Sequence, residues 1–500
     1  MYIRHTQGGR VYYTGRTNKP RAKGNPALAS SLDEKRLDAA RRVLEQVAEV
    51  LDARFSVRLW DGSVVPMGRD VEPGFVLAIR GPGVLGALLR RPGIETLLRH
   101  YACGDIDFLG GDLIAFGEVA RDRRGRRGAG RGLGKRLLPR LLREASVLLL
   151  TPPDRPGLEH GYRGDEAGLR NSARDNKEFI QFHYDVSNEF YQLFLDPEMQ
   201  YSCAYFTDWE NTLEQAQRDK MEMICRKLRL RPGEKMLDIG CGWGGLICHA
   251  ATRYGVTAHG VTLSQRQHDF AVEKVKRLGL QDRVTVELRD YTEVEGTFDK
   301  VSSVGMFEHV GIDNIPAYCR KVNSLLRDRG LFLNHGITRR AKASRRDFRK
   351  ITPEKRLILK YIFPGSELDH VGHVQECMEA GGFEIQDVEG WRWHYGLTSR
   401  YWCQRLSARQ DEAIALVGAE RYRMWVAYLA AVSFNFADGP LRLYQILATK
   451  HGSKGPTGLP PTRADLYENW PTGSGDYRDS HPPPSFLGHP PLSQAREGGL

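Results

Sequence analysis

A short apolar stretch that leads into a cluster of glycines constrains the fold of this chain more than any other feature. Residues 236–245 read MLDIGCGWGG, and a helical pattern starts near Leu246. Glycines let the backbone turn sharply and let a ligand approach it closely. The order of strand, glycine loop and helix, with Asp238 just before the loop, predicts a nucleotide-type binding site.

Two further predicted strands with polar ends follow the glycine loop in register. Residues 256–261 form the second strand and lead into the polar phrase TLSQRQ at 262–267, and residues 283–288 form the third and lead into Asp290 and Tyr291. Together these stretches resemble the S-adenosylmethionine-binding segments of class I methyltransferases. The resemblance implies that the first phrase meets the ribose and methionine groups and that the second meets adenine. Ordinary strand ends with polar caps are the alternative.

Seven phrases between 170 and 450 extend the resemblance: HYDVSNEFY (183–191), YSCAY (201–205), GCGWGG (240–245), GVTLS (260–264), SVGMFEHVG (303–311), KYIFP (360–364) and HY (394–395). Together they resemble the cyclopropane-fatty-acyl-phospholipid synthase family, which includes the mycolic acid cyclopropane synthases. Strands and helices alternate here, which is typical of an α/β, doubly wound sheet. The resemblance implies a class I methyltransferase (Rossmann-like) domain with helical lipid-binding insertions. Residues 31–120 resemble the family's N-terminal lipid-binding-type domain more loosely.

A glutamate and a histidine follow neighbouring strands of the predicted sheet. Glu308 comes just after the fourth predicted strand (298–304), and His335 lies near the end of the fifth (330–337). Ligands of such sheets sit beyond the carboxyl ends of the strands. We therefore expect both side chains to converge on one cavity close to the glycine loop. A buried Glu–His pair with a structural role is the alternative.

The family resemblance implies two ligands, S-adenosylmethionine as methyl donor and bicarbonate as base. Methyl transfer to an alkene leaves a carbocation, and a base must remove a proton before a ring can close. The resemblance assigns bicarbonate binding to Cys203, Glu308, His335, the backbone of Ile337, and Tyr395. It assigns the cofactor contacts to Tyr201, Ser202, Asp238, Gly240, Gly242, Gly244, Thr262, Leu263, Ser264, Gln267, Asp290 and Tyr291. Segment 351–396 would line the acyl tunnel, with an ordinary core as the alternative.

Several alternatives remain open for the activity. The main hypothesis is a cyclopropane ring formed at the cis double bond of phospholipid acyl chains; a methylene- or methyl-branched product is the second. A nucleic-acid methyltransferase lacks support, since neither an NPPY-like phrase nor a Pro-Cys nucleophile occurs. Cys203 as a nucleophile and a binding protein without catalysis are further options. The family's usual residues are replaced at Ser187, Thr292, Gly336, Asp369, His370 and Val432.

The distribution of charge suggests an anionic partner. The formal net charge is +11, and three segments, 1–30, 121–143 and 339–350, carry a basic excess while the remainder is acidic. Such segments attract lipid headgroups or nucleic acid. Solvated tails and linkers are the alternative. With the family resemblance, the charge favours a membrane surface presenting unsaturated phospholipids and argues against nucleic acid as a partner.

Composition shifts divide the chain into five predicted parts. They are a basic, poorly ordered tail (1–30), a small α+β domain (31–120), an Arg/Gly-rich linker with a basic amphipathic helix (121–169), the catalytic domain (170–450) and a Pro/Gly-rich tail (451–500). A capping-box signature, Ser31 with Glu34, is expected to open the first helix.

Location and metal content are also predicted from composition. The eight cysteines are scattered without a CxxC pair, which argues against a zinc site or a disulfide framework. No apolar run is long enough to span a membrane, and residues 1–10 lack a secretory signal. We expect a cytoplasmic protein, peripherally associated with the inner face of the membrane. The oligomeric state is open, with a homodimer as one option.

Overall fold

A computed structural model describes ten stretches of the chain: 3–7, 10–14, 26–121, 138–152, 186–342, 344, 347–348, 350, 353–452 and 457–468. The C-terminal tail beyond 468, most of the predicted linker and the start of the HYDVSNEFY phrase lie outside them, so the predictions for those residues stay predictions. Within the described stretches, none of the helices combines the length and apolar content that a bilayer span requires.

Thirteen strands and sixteen helices make up the described residues. The strands are β1 (Ile3–Gln7), β2 (Arg10–Thr14), β3 (Ser56–Arg58), β4 (Val64–Pro66), β5 (Val76–Ile79), β6 (Ile106–Leu109), β7 (Lys235–Ile239), β8 (Thr257–Thr262), β9 (Val284–Leu288), β10 (Phe298–Val304), β11 (Leu326–Arg339), β12 (Phe383–Gly390) and β13 (Leu441–Lys450). The helices are α1 (Pro26–Leu51), α2 (Pro82–Arg90), α3 (Ile94–Ala102), α4 (Leu113–Arg121), α5 (Leu138–Leu149), α6 (Asn188–Gln192), α7 (Leu213–Lys227), α8 (Gly245–Tyr254), α9 (Gln265–Arg277), α10 (Phe307–Val310), α11 (Ile315–Leu325), α12 (Pro353–Tyr361), α13 (Val371–Ala380), α14 (Arg392–Ala408), α15 (Gln410–Val417) and α16 (Ala419–Ala437).

The largest sheet has seven strands in the order β12-β13-β11-β10-β7-β8-β9. The five strands from β11 to β9 are parallel, and β13 runs antiparallel between β11 and β12. Four of the five residues of β7 are buried, as expected for a strand covered by helices on both faces. Strand order reverses at β7, so a crevice opens beyond its carboxyl end.

Two apolar layers cover the faces of this sheet. Phe332 and Leu333, successive residues of β11, belong to different core clusters because neighbouring side chains of a strand point to opposite faces. Phe332 packs with α11 and α13, including Val322. Leu333 shares its cluster with α7 and α8, including Ile247. This is the predicted α/β, doubly wound arrangement.

A third core, rich in aromatic rings, joins the helices outside the sheet. It combines α6, α14, α15 and α16 with the segment that contains Cys203. Phe190, Trp402 and Trp425 are each at most 3% exposed in it. These helices are the part of the chain that the resemblance implies as lipid-binding insertions.

The N-terminal domain differs from the prediction at both of its ends. Its four-stranded sheet has the order β4-β3-β5-β6. Helix α1 begins at Pro26, so the capping-box prediction at Ser31 is wrong, and β1 and β2 pair within the segment expected to be poorly ordered. Helix α5, predicted as part of the linker, buries Ala145 and Leu148 in the core of this domain. These two residues of the helix therefore pack inside the protein.

Ion pairs and an apolar cluster join the N-terminal domain to α14 and α16. Arg423 Nη2 lies 3.4 Å from Asp107 Oδ2, and the Arg423 guanidinium also donates to the carbonyl oxygens of Tyr101 and Ile106. Arg400 pairs with Glu118. The apolar cluster joins α3, the end of α12 and α16 through Ala102, Tyr361, Ile362 and Met424. The domain thus packs against the segment predicted to line the acyl tunnel.

Candidate active site

The glycine loop turns between β7 and α8 as its sequence predicts. Gly240 has φ +80° and Gly242 has φ +55°, a left-handed region that favours glycine. A Cβ at Gly240 would lie 3.0 Å from Met306 Cβ, whereas one at Gly242 would meet no protein atom within 4 Å. The loop is therefore tight on its protein side and open at Gly242 for close approach of a ligand.

A cleft of about 1020 Å³ opens beyond this loop. Ten of the twelve predicted cofactor residues line it: Tyr201, Ser202, Asp238, Gly240, Gly242, Thr262, Leu263, Gln267, Asp290 and Tyr291. Gly244 and Ser264 are not among the lining residues. Gly244 is the left-handed N-cap of α8, and Ser264 caps α9 by accepting from the Gln267 backbone N–H. The structure gives these two a local role in shaping the loops.

Further lining residues were missed from the sequence: Met199, Gln200, Arg289, Gly305, Met306 and His309. Gly305 and Met306 follow β10, which is hydrogen-bonded to β7. The rule that ligands bind beyond the carboxyl ends of neighbouring strands was the signal that would have found them.

Asp238 is the central acidic residue of the cleft. It is 3% exposed, and its Oδ1 accepts from Ser302 Oγ at 2.6 Å, across the β7–β10 pair. Burial raises the pKa of this carboxyl to about 6. Thr262 Oγ1 donates to Gln267 Oε1 over 2.9 Å at the next strand end. Polar groups at successive strand ends with an open glycine between them fit a nucleoside carrying an amino-acid tail, as in S-adenosylmethionine.

Lys220 of α7 is a buried cation that sequence reasoning missed. It is 1% exposed, and its Nζ donates to Ser202 Oγ at 2.8 Å and to Gln200 Oε1. Burial lowers its pKa to about 8, against the opposing influence of Asp196 and other anionic groups. Lys220 therefore holds the segment that lines the cleft just before Cys203.

Glu308 and Ile337 meet directly. The Ile337 backbone N–H donates to Glu308 Oε1 over 2.6 Å. Glu308 is 5% exposed, and its other oxygen, Oε2, is buried without a hydrogen-bond partner among the described residues. Burial raises the pKa of this carboxyl to about 7. Glu308 can therefore be protonated near neutral pH and can donate as well as accept.

His335 is buried beside Trp391. The two rings meet edge to face with centroids 5.4 Å apart, and Gln445 Nε2 lies 3.0 Å from His335 Nδ1. Nε2 of His335 has no hydrogen-bond partner among the described residues. Burial, and then the charges of Lys220 and Lys227, hold its pKa well below the usual value. The imidazole is therefore neutral at physiological pH.

Trp391 also connects the two remaining predicted residues. Cys203 Sγ lies 3.8 Å from the Trp391 carbonyl oxygen, to which the Tyr395 backbone N–H donates over 3.2 Å. The Tyr395 ring packs against Phe436 with centroids 4.6 Å apart. Cys203 is fully buried, and burial raises its thiol pKa well above the usual value. A neutral thiol is a poor nucleophile, so the geometry disfavours Cys203 as an attacking group.

The five predicted residues thus form two contacting sets, Glu308 with Ile337, and His335, Cys203 and Tyr395 around Trp391. Buried polar atoms almost always have a partner. Nε2 of His335 and Oε2 of Glu308 lack one within the described stretches. A neutral imidazole, a neutral thiol and a carboxyl with a raised pKa are groups whose chemistry suits a small oxyanion such as bicarbonate. Neither Glu308 nor His335 is among the residues that line the cleft beyond the glycine loop, contrary to the expectation that both converge on that cavity.

The segment predicted to line the acyl tunnel begins next to the cleft. His309, a lining residue, has its ring 5.8 Å from that of Phe363, which lies 5.8 Å from that of Tyr428. Tyr361 and Ile362 are at most 9% exposed and pack on Met424. An apolar wall therefore runs from the cleft toward the N-terminal domain.

The positions that depart from the family resemblance have local partners. A Cβ at Gly336 would lie 3.2 Å from Phe307 Cδ1, so the phenyl ring occupies space that a larger residue would need. Asp369 pairs with His373, and His370 caps α13. Thr292 donates to Asp290 Oδ1. Among these positions, Gly336 is the one whose immediate neighbours on both sides, His335 and Ile337, are predicted site residues.

Comparison with known proteins gives matches over the same region. A family model described as mycolic acid cyclopropane synthetase matches residues 171–446. The chain is 38% identical over 414 residues to a protein of Pseudomonas putida named probable fatty acid methyltransferase, covering 82% of this chain and 95% of that one. It is 39% identical over 269 residues to the cyclopropane-fatty-acyl-phospholipid synthase of Escherichia coli K12, covering 54% and 66% respectively.

Two solved structures superpose on the part of the chain that contains the site. The cyclopropane synthase MmaA2 from Mycobacterium tuberculosis has a TM-score of 0.53 at 31% identity, covering 56% of this chain and all of that one. The mycolic acid cyclopropane synthase CmaA1 complexed with SAH and CTAB has a TM-score of 0.52 at 32% identity, with the same coverage. The predicted class I methyltransferase fold is thereby confirmed.

Proposed function

Because the chain belongs to the mycolic acid cyclopropane synthetase family, whose members use S-adenosylmethionine to modify fatty acyl chains, we propose that it forms cyclopropane rings in phospholipids. The substrate is the cis double bond of an unsaturated acyl chain, and the base is bicarbonate. The observation that carries this proposal is that two buried atoms, His335 Nε2 and Glu308 Oε2, have no hydrogen-bond partner among the described residues. The cleft residue Gly305 donates its backbone N–H to the carbonyl oxygen of His335, which ties this residue to the edge of the cleft.

Bound S-adenosylmethionine would supply an electrophilic methyl group, and bound bicarbonate would supply a base. The cleft residues bind the donor through the open backbone at Gly242 and the polar groups of Asp238 and Gln267. His335 and Glu308 would hold the base, with Cys203 as a neutral donor. Their burial excludes water, which would otherwise capture a carbocation on the acyl chain.

A carboxylate in direct contact with a carbocation can add to it instead of removing a proton. The pKa of about 7 at Glu308 means that this carboxyl is substantially protonated at neutral pH. Its bond from the Ile337 N–H also holds one oxygen in place. Both features suit a residue that binds a small base, and they disfavour Glu308 as a nucleophile toward the cation.

A methylene- or methyl-branched product is the second candidate. It is favoured by two relatives, from Pseudomonas putida and Mycobacterium tuberculosis, that are named probable fatty acid methyltransferases and match 82% and 80% of this chain. The two outcomes share methyl transfer to the double bond and differ in where the cation loses its proton. They are therefore separated by the product alone.

The test is expression in a bacterium that lacks cyclopropane lipids, followed by proton NMR of its fatty acids. Cyclopropane hydrogens resonate upfield of all other acyl hydrogens, so the proposal predicts new upfield signals and a loss of olefinic ones. The Glu308→Gln protein, expressed to the same level, is the control and should give a much smaller change in both signals. Olefinic methylene signals without ring signals would replace the first candidate with the second.

We further propose a cytoplasmic enzyme that reaches its substrate at the inner face of the membrane. The basic segments 1–30, 121–143 and 339–350 support this proposal, since polybasic segments bind anionic lipid and lose affinity as salt screens the charge. Sedimentation with vesicles is the test. Binding to phosphatidylglycerol vesicles that weakens with salt is expected, whereas equal binding to vesicles of neutral lipid would contradict it.

A further inference from the structure

Gln445 lies directly opposite His335 in the central sheet. The antiparallel register of β11 and β13 pairs the two residues, and directly opposite side chains project from the same face. Each residue is 1% exposed. The Gln445 amide nitrogen Nε2 donates to Nδ1 of His335 over 3.0 Å. The contact is thus set by the register of two long strands.

This contact determines which ring nitrogen of His335 carries the proton. A neutral imidazole has one N–H, so a ring whose Nδ1 accepts a hydrogen bond carries its proton on Nε2. Nε2 is the ring atom without a partner in the described part of the chain. With Gln445 donating, Nε2 is a buried N–H donor that lacks a protein acceptor, and an oxyanion would supply one.

The reverse tautomer could not donate to an unprotonated oxygen of the anion. With the proton on Nδ1, Nε2 would present a lone pair, which repels the lone pairs of a carbonate oxygen. We infer that Gln445 is a positioning residue of the proposed active site, which keeps the His335 proton on Nε2 so that it can bind the oxyanion. The inference rests on the proposed function, because bicarbonate is the proposed acceptor of the hydrogen bond from His335 Nε2–H.

The charged groups near Gln445 and His335 keep the imidazole neutral, so Gln445 acts on the position of its one proton and not on its charge. On β12, Glu389 stands opposite Gln445 and is paired with Lys227 of α7. Lys220 on the same helix adds positive charge that disfavours an imidazolium at His335. Glu308 on α10, Cys203 and Tyr395 are the other titratable groups that the proposal places at the anion. The hydrogen bond that Nδ1 accepts in the described structure comes from Gln445.

Long-range proton–nitrogen NMR on protein labelled with ¹⁵N-histidine reads the tautomer directly. The chain has 15 histidines, and the His335 signals are assigned as those missing from His335→Gln. In the ligand-free wild type we expect the proton on Nε2. In Gln445→Glu the carboxylate accepts from Nδ1–H, so we expect the proton to move to Nδ1. A wild-type spectrum with the proton on Nδ1 would overturn the inference whatever the activity.

The second measurement is the bicarbonate concentration that gives half-maximal activity. It should rise about tenfold or more in Gln445→Glu, the cost of losing a hydrogen bond to an anion, while the KM for S-adenosylmethionine changes less than about twofold. Gln445→Leu adds no charge to the site, so the bicarbonate concentration for half-maximal activity should rise less than in Gln445→Glu. It is the variant to measure if Gln445→Glu fails to fold.

The matched control is Gln386→Glu. Gln386 also reaches across the sheet, donating to Thr449 Oγ1 over 3.0 Å, but lies outside the site. We expect its bicarbonate dependence to equal that of the wild type. An unchanged dependence and an unchanged tautomer in Gln445→Glu would overturn the inference. A wild type that modifies no lipid would instead defeat the proposed function, and the tautomer would still be measurable.

Discussion

Glu308 combines a fixed oxygen with a free one. Oε1 accepts from the Ile337 N–H, and Oε2 is buried without a partner among the described residues. Glu308→Gln keeps an oxygen for Ile337 and removes the titratable group. We expect turnover to fall by about 10- to 100-fold with little change in the affinity for S-adenosylmethionine. Product formation and cofactor binding by calorimetry measure the two effects, and unchanged turnover would contradict a role for Glu308 in catalysis.

The raised pKa of Glu308 also predicts how stability depends on pH. A carboxyl that titrates near 7 when folded and near 4.5 when unfolded binds more protons in the folded state between these values. The free energy of unfolding therefore falls as pH rises from about 5 to 7, by about 2 kcal/mol from this residue. Urea unfolding of wild type and Glu308→Gln at both pH values isolates the contribution. Parallel pH dependence in the two proteins would contradict it.

Individual site residues differed in how well the sequence predicted them. Glu308, His335 and the cleft residues stand at strand ends or in the glycine loop, where position along the chain already indicates a ligand. Lys220 and Gln445 carried no such signal, because each reaches the site from an element whose position depends on long-range packing. Gly244 and Ser264 were predicted as contacts, and the structure uses them to cap helices.

At the scale of elements, the glycine loop offers a prediction with a matched control. Gly242 and Gly279 both have positive φ, and a Cβ at either meets no protein atom within 4 Å. Alanine at either position therefore costs a similar backbone strain of about 1–2 kcal/mol. Of these two glycines, Gly242 lines the cleft and Gly279 does not. Gly242→Ala should weaken S-adenosylmethionine binding at least about tenfold, and calorimetry should show no such loss for Gly279→Ala.

Three predicted strands of the catalytic domain, 256–261, 283–288 and 298–304, match β8, β9 and β10 to within one residue at each end because their apolar runs are regular. The fourth predicted strand coincides with β10. The fifth predicted strand was too short, since β11 extends from Leu326 to Arg339. The first residues of β11 are mostly charged, so they lack the apolar pattern that predicts a strand. The start of α1 was also misplaced. The sequence around Ser31 matches a helix N-cap, but Ser31 lies inside α1, which begins at Pro26.

For the whole molecule, the packing of the N-terminal domain depends on Arg423. Its guanidinium bonds two backbone carbonyls and Asp107. Arg423→Ala leaves those carbonyls without their donor, so we expect a loss of about 1–3 kcal/mol in the free energy of unfolding. Arg409→Ala, which breaks an exposed pair with Glu412, should cost under about 1 kcal/mol. Equal losses in denaturant unfolding would contradict a specific role for Arg423.

Domain organisation was less accessible to sequence reasoning than the site. The glycine loop and strand ends identify the catalytic sheet, whereas α5 has the composition of a basic surface helix and yet buries Leu148 in the N-terminal core. The composition of a helix indicates that it has an apolar face, but it does not indicate which part of the protein that face packs against. The contact between α3 and the end of α12 likewise depends on how two separately folded parts meet.

The central claim is that a buried Glu–His site completes a ring after methyl transfer. The most direct measurement gives the purified protein S-adenosylmethionine with a deuterated methyl group and vesicles of unsaturated phospholipid, and follows the product by mass spectrometry and NMR. The account predicts a ring carbon that retains two of the three deuterons. A product that retains all three as a methyl branch, or an acyl chain recovered unaltered, would contradict it.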